Sequence, residues 1–242
     1  MIISYTDKVV IITGGTRGIG AALVHAFSAA GAKVIFTGKS EQGNINLTDN
    51  CRYHQLDMAS ENSLNQFLDL VGQLDKIDVL INNAGVNKID AIDEISLKDW
   101  DWIQAVNLRG PFVLMHTVAK AMKKRKSGKI LNISSIFGVV SKEKRASYST
   151  SKSGLLGLTR ASALDLAPFN VLVNSISPGF VDTDLTSKIL GAKNLNELVD
   201  TIPQKRLARP EEISNVALFL CSSQNTYITG QNIIVDGGFT NA

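Results

Sequence analysis

Short apolar segments alternate with amphipathic segments along the chain, and this alternation constrains the possible folds more than any other feature of the sequence. The apolar segments, rich in β-branched residues, are Val9–Ile12, Val34–Phe36, Ile77–Ile81, Ile130–Ile133, Val171–Ile176 and Ile233–Val235, with a weaker one at Arg52–Leu56. Helical periodicity fills the intervals Ile19–Ala30, Ser60–Leu74, Leu97–Lys124, Ser147–Ala167 and Pro210–Ser222. Apolar strands that alternate with helices form parallel sheets covered on both faces. The sequence therefore predicts the α/β class, with a doubly wound parallel sheet and helices on both of its faces.

The chain length and two aperiodic stretches indicate the domain organisation. A chain of 242 residues is the natural size of one α/β domain, so we expect a single domain over residues 1–242. Gly38–Asn50 is polar and short for a helical crossover, which indicates a loop or a single turn. Phe180–Arg209 is longer and follows a predicted strand, where α/β proteins place substrate lids. We therefore expect a lid at about residues 180–209.

The composition argues against several classes of protein. The formal net charge of +3 is too small to indicate nucleic-acid binding. Cys51 and Cys221 lie outside any Cys-x-x-Cys spacing or histidine cluster, so no metal site is predicted, and this cysteine usage fits a reducing compartment. No apolar run approaches the ~18 residues of a membrane span, and the first strand begins near Lys8, which leaves no room for a signal peptide. We expect a cytoplasmic protein without nucleic-acid or membrane partners.

Tyr148 and Lys152 stand four residues apart in a predicted helix, which places phenol and ammonium one turn apart on the same face. A phenol has an ordinary pKa of about 10, and a nearby cation stabilises the phenolate and lowers that pKa. A shift of ~3 units corresponds to ~4 kcal/mol of differential interaction, which active sites do supply. The pair is therefore a candidate proton donor, and the alternative is an ordinary pair on a solvated helix surface.

A glycine-rich segment follows the first predicted strand and opens the first helix. Thr13–Gly20 reads Thr-Gly-Gly-Thr-Arg-Gly-Ile-Gly, with the spacing Gly-x-x-x-Gly-x-Gly. Glycines allow a tight turn and a close approach of the backbone to a pyrophosphate, and the helix start presents unpaired N–H groups to that anion. This segment, placed after the first strand of a serial α/β pattern, predicts a dinucleotide-binding loop.

The end of the second strand indicates which dinucleotide binds. NAD enzymes usually carry an acid there, which binds the ribose 2′-hydroxyl. In this chain Phe36–Ser40 contains no acid, Lys39 is cationic, and Arg17 lies in the glycine-rich loop. Two cations without a carboxylate favour a 2′-phosphate, so NADP(H) is the predicted cofactor. Two alternatives stay open: Glu41 could fold back to the ribose, and Lys39 could be an ordinary surface lysine.

Further motifs, in their order along the chain, resemble those of the short-chain dehydrogenase/reductase family. They are the Thr13–Gly20 loop, Asp57 after the third strand, Asn82-Asn83-Ala84-Gly85, Asn107, Ser135 at 13 residues before Tyr148, and Pro178-Gly179 followed by Thr183. The resemblance covers essentially the whole chain and implies a Rossmann fold. It implies cofactor contacts from Gly14, Thr16, Arg17, Gly18, Ile19, Gly20, Lys39, Asp57, Asn83, Ala84, Gly85, Tyr148, Lys152, Pro178, Gly179, Val181 and Thr183.

The same resemblance implies a catalytic set of Asn107, Ser135, Tyr148 and Lys152. Tyr148 is expected to be the general acid in reduction and the base in oxidation. Lys152 is expected to lower its pKa and bind the nicotinamide ribose, Ser135 to bind the substrate oxygen, and Asn107 to hold a water that links Lys152 to solvent. Hydride transfer to a carbonyl makes an alkoxide, so two donors must reach that oxygen. Ser134 is an alternative hydroxyl, but adjacent strand residues point to opposite faces.

The carboxyl-terminal part of the chain most resembles bacterial 3-oxoacyl-carrier-protein reductases, in Ile202–Arg206, Arg209–Ile213 and Asp236–Gly238. This resemblance implies NADPH-dependent reduction of a ketone on a small molecule or a carrier. Those reductases often have a carrier-docking arginine where Phe169 stands here, whereas Arg125 and Lys126 lie near the other docking position. Two other functions stay open: a sugar or polyol alcohol dehydrogenase, and a non-catalytic dinucleotide sensor, although sensors typically lose the tyrosine or lysine that this chain retains.

Charge patterns predict the charge of the substrate and the assembly. Ser141–Arg145 holds three cations and one acid, and the resemblance places this loop, together with Lys88, at the mouth of the active site. Clustered cations attract anionic ligands, so an anionic ketone is predicted, and an ordinary solvated loop is the alternative. The predicted helix Ser147–Ala167 has only three charged residues and should be buried on more than one face. The resemblance implies a homotetramer of paired helices, in which the helix Leu97–Lys124 also takes part.

Overall fold

A computed structural model of the chain describes residues 3–40, 49–183 and 197–242. Within these ranges seven strands form one sheet: β1 (Val9–Ile12), β2 (Lys33–Gly38), β3 (Cys51–Gln55), β4 (Val79–Asn82), β5 (Gly128–Ile133), β6 (Val171–Pro178) and β7 (Asn232–Val235). All neighbouring strands are parallel, and their order across the sheet is β3-β2-β1-β4-β5-β6-β7. The predicted parallel sheet is confirmed, with strand ends within two residues of those predicted.

Helices cover both faces of this sheet. They are α1 (Gly18–Ala29), α2 (Glu61–Gly72), α3 (Leu97–Gln104), α4 (Gly110–Arg125), α5 (Ala146–Leu166) and α6 (Pro210–Cys221), and residues 197–201 are also helical. On one face, α1 and α6 bury Phe27 and Leu220 against the strands. On the other face, α2, α4 and α5 bury Phe67, Leu114 and Ala163. Two apolar layers on one sheet are what the near-continuous apolar strands require, because both faces of each strand must leave water.

The predicted helix Leu97–Lys124 is not one regular α-helix. α3 ends at Gln104, and a π-helical turn spans Ala105–Arg109 before α4 begins. Such turns are rare in proteins, and those that do occur often lie at functional sites. The turn contains Asn107, whose side chain is completely buried. A break in hydrogen-bond period leaves no signal in the hydrophobic pattern, so the sequence did not predict it.

The sheet topology places the carboxyl ends of β1 and β4 side by side, where the strand order reverses direction. In open α/β sheets this switch point is where ligands bind. Most of the predicted loop at Gly38–Asn50, with Glu41, lies outside the described residues, as do residues 184–196 of the predicted lid. Val181 and Ala208, at the two ends of that stretch, form a parallel bridge. Within the described residues, none of the helices is long and apolar enough to span a membrane.

Candidate active site

The glycine-rich loop packs against the loop that follows β4. A Cβ atom on Gly14 would lie 2.8 Å from the Cα of Ala84, and one on Gly20 would collide with the carbonyl oxygen of Gly14. Gly14 and Gly18 have φ angles of 65° and 52°, which glycine adopts without strain. These glycines let the backbone turn tightly at the amino terminus of α1.

Thr13 and Asn83 fix the two loops to each other. Thr13 Oγ1 accepts hydrogen bonds from the backbone N–H groups of Asn83 and Ala84, both at 3.0 Å. The Asn83 amide Nδ2 donates to the carbonyl oxygens of Thr13 and Gly14, both at 2.9 Å. The loop that resembles the family motif is therefore held rigidly beside the glycines, before any ligand binds.

A cleft of about 590 Å³ opens over these loops. Most predicted cofactor residues line it: Gly14, Thr16, Arg17, Gly18, Ile19, Gly20, Lys39, Asp57, Asn83, Ala84, Gly85 and Thr183. Sequence reasoning missed Thr37, Ser40, Leu56, Met58, Val86, Trp102 and Val106, which line the same cleft. These residues belong to no motif, and most of them have apolar side chains that only the fold distinguishes from ordinary core residues.

The donor groups of this cleft fit the pyrophosphate of a dinucleotide. Arg17 stands at the start of α1 and makes no capping hydrogen bond with its side chain, and the first turn of the helix contains no acid. Backbone N–H groups at such a helix start remain available to an anion. The glycines beside them leave no room for a Cβ, so a ligand can approach the backbone closely.

Lys39 and Asp57, both predicted to bind the cofactor, are bound to each other. Lys39 Nζ lies 2.8 Å from Asp57 Oδ2, and this hydrogen bond holds the pKa of Asp57 below its usual value. Lys39 is therefore neither an unpaired cation nor an isolated surface lysine. Its side chain is 76% exposed and that of Asp57 is 29% exposed, and ion pairs this open to water contribute at most about 1 kcal/mol. A ligand phosphate can therefore compete for Lys39.

Tyr148 and Lys152 lie in the first two turns of α5, which is anchored on β5. Asn132 Nδ2 donates to Thr159 Oγ1 at 2.9 Å, deep in the interface between strand and helix. Ser134 Oγ donates to the carbonyl oxygen of Lys152 at 3.1 Å. These two contacts fix the rotation of α5, so that its first turns face the carboxyl end of β5.

Lys152 is a buried ammonium with 3% of its surface exposed. Its Nζ donates to the carbonyl oxygen of Ile133 at 2.9 Å and lies 5.7 Å from the centroid of the Tyr148 ring. Burial lowers the pKa of Lys152 to about 8, because desolvation disfavours the charged form. Lys152 can therefore exchange a proton close to neutral pH.

Burial has the opposite effect on Tyr148. It raises the pKa of the phenol, and the hydrogen bond with Ser135 and the nearby Arg145 guanidinium lower it without overcoming burial. The prediction that Lys152 lowers the pKa of Tyr148 is wrong, because the pKa is raised and Lys152 is not among the groups that lower it. The reason is that the ammonium bonds the Ile133 carbonyl, while a half-buried phenolate loses its hydration.

The two serines that follow β5 point to different sides. Ser134 bonds the backbone of α5, as described above. Ser135 Oγ accepts a hydrogen bond from the Phe137 N–H at 3.1 Å, and it lies close enough to the Tyr148 phenol to lower its pKa. Of the two hydroxyls that the sequence offered, Ser135 is the one beside the phenol.

Asn107 connects the π-turn to the loop after β4. Its Oδ1 accepts a hydrogen bond from the Val86 N–H at 2.8 Å, and its Nδ2 donates to the Val86 carbonyl at 2.9 Å and to Ser151 Oγ at 3.0 Å. A Cβ atom on Gly85 would lie 3.4 Å from Lys152 Nζ and 3.6 Å from Asn107 Oδ1, so both residues border the same small space. The water-holding role of Asn107 stays a prediction.

A second cavity, of about 250 Å³, adjoins the cleft and shares five lining residues with it: Ile19, Asn83, Gly85, Val86 and Thr183. It is lined by the predicted residues Ser135, Tyr148, Lys152, Pro178, Gly179, Val181 and Thr183, and also by Asn87, Phe137, Arg145 and Phe180. The site thus presents a phenol and a hydroxyl side by side, next to a dinucleotide-sized cleft. Two such donors can bind one oxygen while its charge changes.

Comparisons with known proteins agree with this geometry. The family model described as Enoyl-(Acyl carrier protein) reductase matches residues 14–240. The 3-oxoacyl-[acyl-carrier-protein] reductase of Aquifex aeolicus (strain VF5) is 39% identical over 98% of this chain and 99% of its own. The chain belongs to the short-chain dehydrogenase/reductase family. It is therefore an oxidoreductase that uses a nicotinamide dinucleotide, NAD or NADP.

Other members of the short-chain dehydrogenase/reductase family are similar over the same length. The cyclopentanol dehydrogenase of Comamonas sp. (strain NCIMB 9872) is 34% identical over 97% of both chains. A crystal structure described as an NAD(P) dependent gluconate 5-dehydrogenase from Beutenbergia cavernae, with bound NADP, is 31% identical and superimposes with a TM-score of 0.94 over the whole of both chains. These names span a carrier-bound ketone, a cyclic alcohol and a sugar acid, so membership of the family leaves the substrate open.

The cations that the sequence placed together at the mouth of the site have different surroundings. Lys88 is paired with Asp99 at 2.6 Å and with Asp90 at 3.3 Å, and Lys142 and Lys144 are exposed. Only Arg145 of this group lines the cavity.

Arg125, expected near a carrier-docking position, is instead turned inward. It bonds the Ile77 carbonyl at 2.9 Å and the Asp78 carboxylate at 2.8 Å. Asn87 belongs to no motif, and only the conformation of the loop after Gly85 places it in the cavity. Arg145 belongs to the cationic loop that the resemblance placed at the mouth of the site, and it stands three residues before Tyr148, at the start of the same helix.

Proposed function

We propose that this short-chain dehydrogenase/reductase is an NADPH-dependent carbonyl reductase that transfers hydride to a ketone, with Tyr148 as the general acid. The observation that carries the proposal is the placement of the Ser135 hydroxyl beside the Tyr148 phenol in the cavity that adjoins the cleft. When bound, the dinucleotide supplies the hydride. The chain then has to bind the carbonyl oxygen and give it a proton, and these two side chains are placed for both tasks.

Burial raises the pKa of Tyr148, so the phenol keeps its proton at neutral pH but is a weaker acid than a free phenol. The phenol is protonated at neutral pH and can donate both in the ground state and as negative charge develops on the oxygen. Ser135 provides the second hydrogen bond to that oxygen. Lys152, with a pKa of about 8, can return a proton to the site at near-neutral pH. We assign Asn107 the support of that exchange, because it borders the same space beside Gly85.

The preference for NADP is supported by the charges around the cleft. Arg17 and Lys39 line it, and β2 ends at Gly38 without an acid. A 2′-phosphate that bonds Lys39 would replace the exposed ion pair with Asp57 by a charge-assisted contact to a doubly charged group. Asp57 would then be available to the adenine, as the family resemblance implies.

The first candidate for the substrate is a 3-oxoacyl group, as in the Aquifex relative. A small-molecule sugar or polyol dehydrogenase is the second candidate, and the carrier-docking positions favour it. Arg125 is committed to Asp78, and Phe169 lies under the Lys123 ammonium at 4.3 Å instead of presenting a cation of its own. An acidic carrier would therefore meet fewer free cations than the sequence suggested.

We also propose that the enzyme is a homotetramer in the reducing cytoplasm. Phe112 on α4 is 51% exposed and Leu164 on α5 is 78% exposed, and exposed apolar side chains on helices suit a subunit interface. Cys51 and Cys221 are not joined in a disulfide, which fits a reducing compartment.

The test of the proposed function is turnover of a ketone panel by wild-type enzyme and by Tyr148→Phe, followed as NADPH oxidation. The variant keeps the ring and removes the proton, so kcat should fall by at least about 10²-fold, while the Kd for NADPH should change little. Near-normal turnover in Tyr148→Phe would contradict the mechanism. No NADPH oxidation by the wild type with any ketone would favour the dinucleotide sensor instead.

A further inference from the structure

The cavity beside Tyr148 contains a guanidinium, that of Arg145, with two buried nitrogens that have no partner. Nε and one terminal nitrogen of Arg145 are buried, and neither makes a hydrogen bond. Within the described part of the chain, Arg145 also forms no ion pair. We propose that Arg145 binds a carboxylate carried by the ketone substrate itself. This inference rests on the proposed function, and it names the substrate class: short keto acids.

A buried charged donor without a partner is unfavourable, because the group has lost its hydration and gained nothing in exchange. Burial accordingly lowers the pKa of Arg145, against the pull of Tyr148 and Glu143. One flat side of the guanidinium is satisfied, since its Cζ lies 5.6 Å from the centroid of the Phe137 ring. Its Nε and Nη1 are not satisfied, and each of them shares with Nη2 an edge that can bind a carboxylate through two parallel N–H···O bonds.

The other cations of the region do not compete for this role. Lys152 also lines the cavity, but its ammonium is bonded to the Ile133 carbonyl. Lys88 is held by two aspartates, and Lys142 and Lys144 stand in water. Among the described residues, Arg145 is therefore the cation that is available to bind an anionic group within the cavity.

The size and remaining polarity of the cavity narrow the ligand further. Its volume is about 250 Å³, and predicted cofactor residues such as Pro178 and Thr183 line part of it, so the space left for a substrate suits a compact molecule. Phe137 and Phe180 form an apolar wall with ring centroids 6.1 Å apart. Asn87 adds a buried Oδ1 without a hydrogen-bond donor. A hydroxyl on the ligand would supply that donor, so a hydroxylated keto acid would satisfy both Arg145 and Asn87.

The experiment compares each keto acid with its methyl ester, which has the same carbon chain but no charge. The probes are pyruvate, acetoacetate, levulinate and 5-ketogluconate, each tested with saturating NADPH. Wild-type enzyme should use at least one acid with a kcat/KM about 10-fold or more above that of its ester. In Arg145→Gln this ratio should fall by about 10- to 150-fold, the range of a charge-assisted hydrogen bond. Arg145→Lys should retain part of the preference.

The ratio is the decisive quantity, because Arg145 also lowers the pKa of Tyr148 and its loss should slow every ketone. Lys142→Gln is the matched control: it removes a cation from the same loop, but an exposed one, and should leave the ratio within about twofold of wild type. If Arg145→Gln slows acids and esters equally, Arg145 acts only through Tyr148 and the inference fails, while the proposed function stands.

A binding measurement separates the inference from the proposed function. Calorimetry with NADPH present should detect gluconate binding to the wild type, at least about 10-fold weaker binding to Arg145→Gln, and little binding of the uncharged polyol sorbitol to either. This result would support the anion site even if no ketone were reduced. Equal binding of gluconate to wild type and Arg145→Gln, or no binding to either, would overturn the inference.

Discussion

The buried ammonium of Lys152 makes the free energy of unfolding of this protein depend on pH. The substitution Lys152→Met removes this contribution and so allows it to be measured. The folded-state pKa of about 8 lies below the ordinary value of 10.5. Between these values the unfolded chain holds a proton that the folded protein has released, so the free energy of unfolding rises with pH in this window. Below pH 8 both states are protonated, and the folded state carries the full penalty of the buried charge.

The magnitude follows from the shift. A lowering from 10.5 to about 8 corresponds to about 3 kcal/mol. Of this, about 2 kcal/mol is recovered between pH 7 and pH 9.5, when the proton populations of the two states are integrated. The side chain is only 3% exposed, so screening by solvent reduces this value little. Lys152→Met keeps the unbranched shape and abolishes the titration.

The assay is urea unfolding of wild type and Lys152→Met at pH 7 and pH 9.5, at equal protomer concentration. The stability of the wild type relative to the variant should increase by about 2 kcal/mol over this interval. Other groups, such as Cys221, whose burial raises its pKa to about 12, titrate alike in both proteins and cancel. Lys142→Met, at an exposed loop position, should show no such change. An unchanged difference between wild type and Lys152→Met would refute the claim that the ammonium is desolvated.

Two further predictions concern the cofactor and the assembly. Wild-type enzyme should prefer NADPH over NADH by more than about tenfold in kcat/KM, and Gly38→Asp should reduce this preference. Gly38→Ala is the control for size, since a Cβ there would lie 2.5 Å from Thr16 Cγ2; equal use of NADH by the wild type would contradict NADP preference. Gly157 on α5 has no atom within 4 Å of a Cβ position, so Gly157→Arg should fold but disrupt the proposed tetramer in light scattering, whereas Gly157→Ala should not. An unchanged mass for Gly157→Arg, or a 26.1 kDa wild-type protomer, would argue against paired α5 helices.

The helix and strand assignments came from local pattern because each element must bury a face of fixed period. The strand Val171–Ile176 is apolar on both faces, and in the structure it lies inside the sheet, between β5 and β7, with every residue buried. The break at Asn107 was not predictable in this way. It depends on hydrogen bonds to Val86, which lies 21 residues earlier in the chain.

The candidate site was partly determined by sequence for a similar reason. The residue types that can move a proton or bind a pyrophosphate are few, and Tyr148, Lys152 and Thr13–Gly20 show them at fixed spacings. What each charged group does was decided only by the tertiary structure. Lys39 pairs with Asp57 and Lys88 pairs with Asp99, whereas Arg145 forms no ion pair with any acid among the described residues.

The sequence by itself thus determined which groups are available, and the tertiary structure determined their pKa values and partners. The physical reason is that chain spacing sets only the distance to neighbours on the same element. Desolvation and ion pairing depend on every element packed against a group. Tyr148 illustrates this difference: its spacing from Lys152 suggested a lowered pKa, whereas its burial between α5 and the loop after β5 raises that pKa.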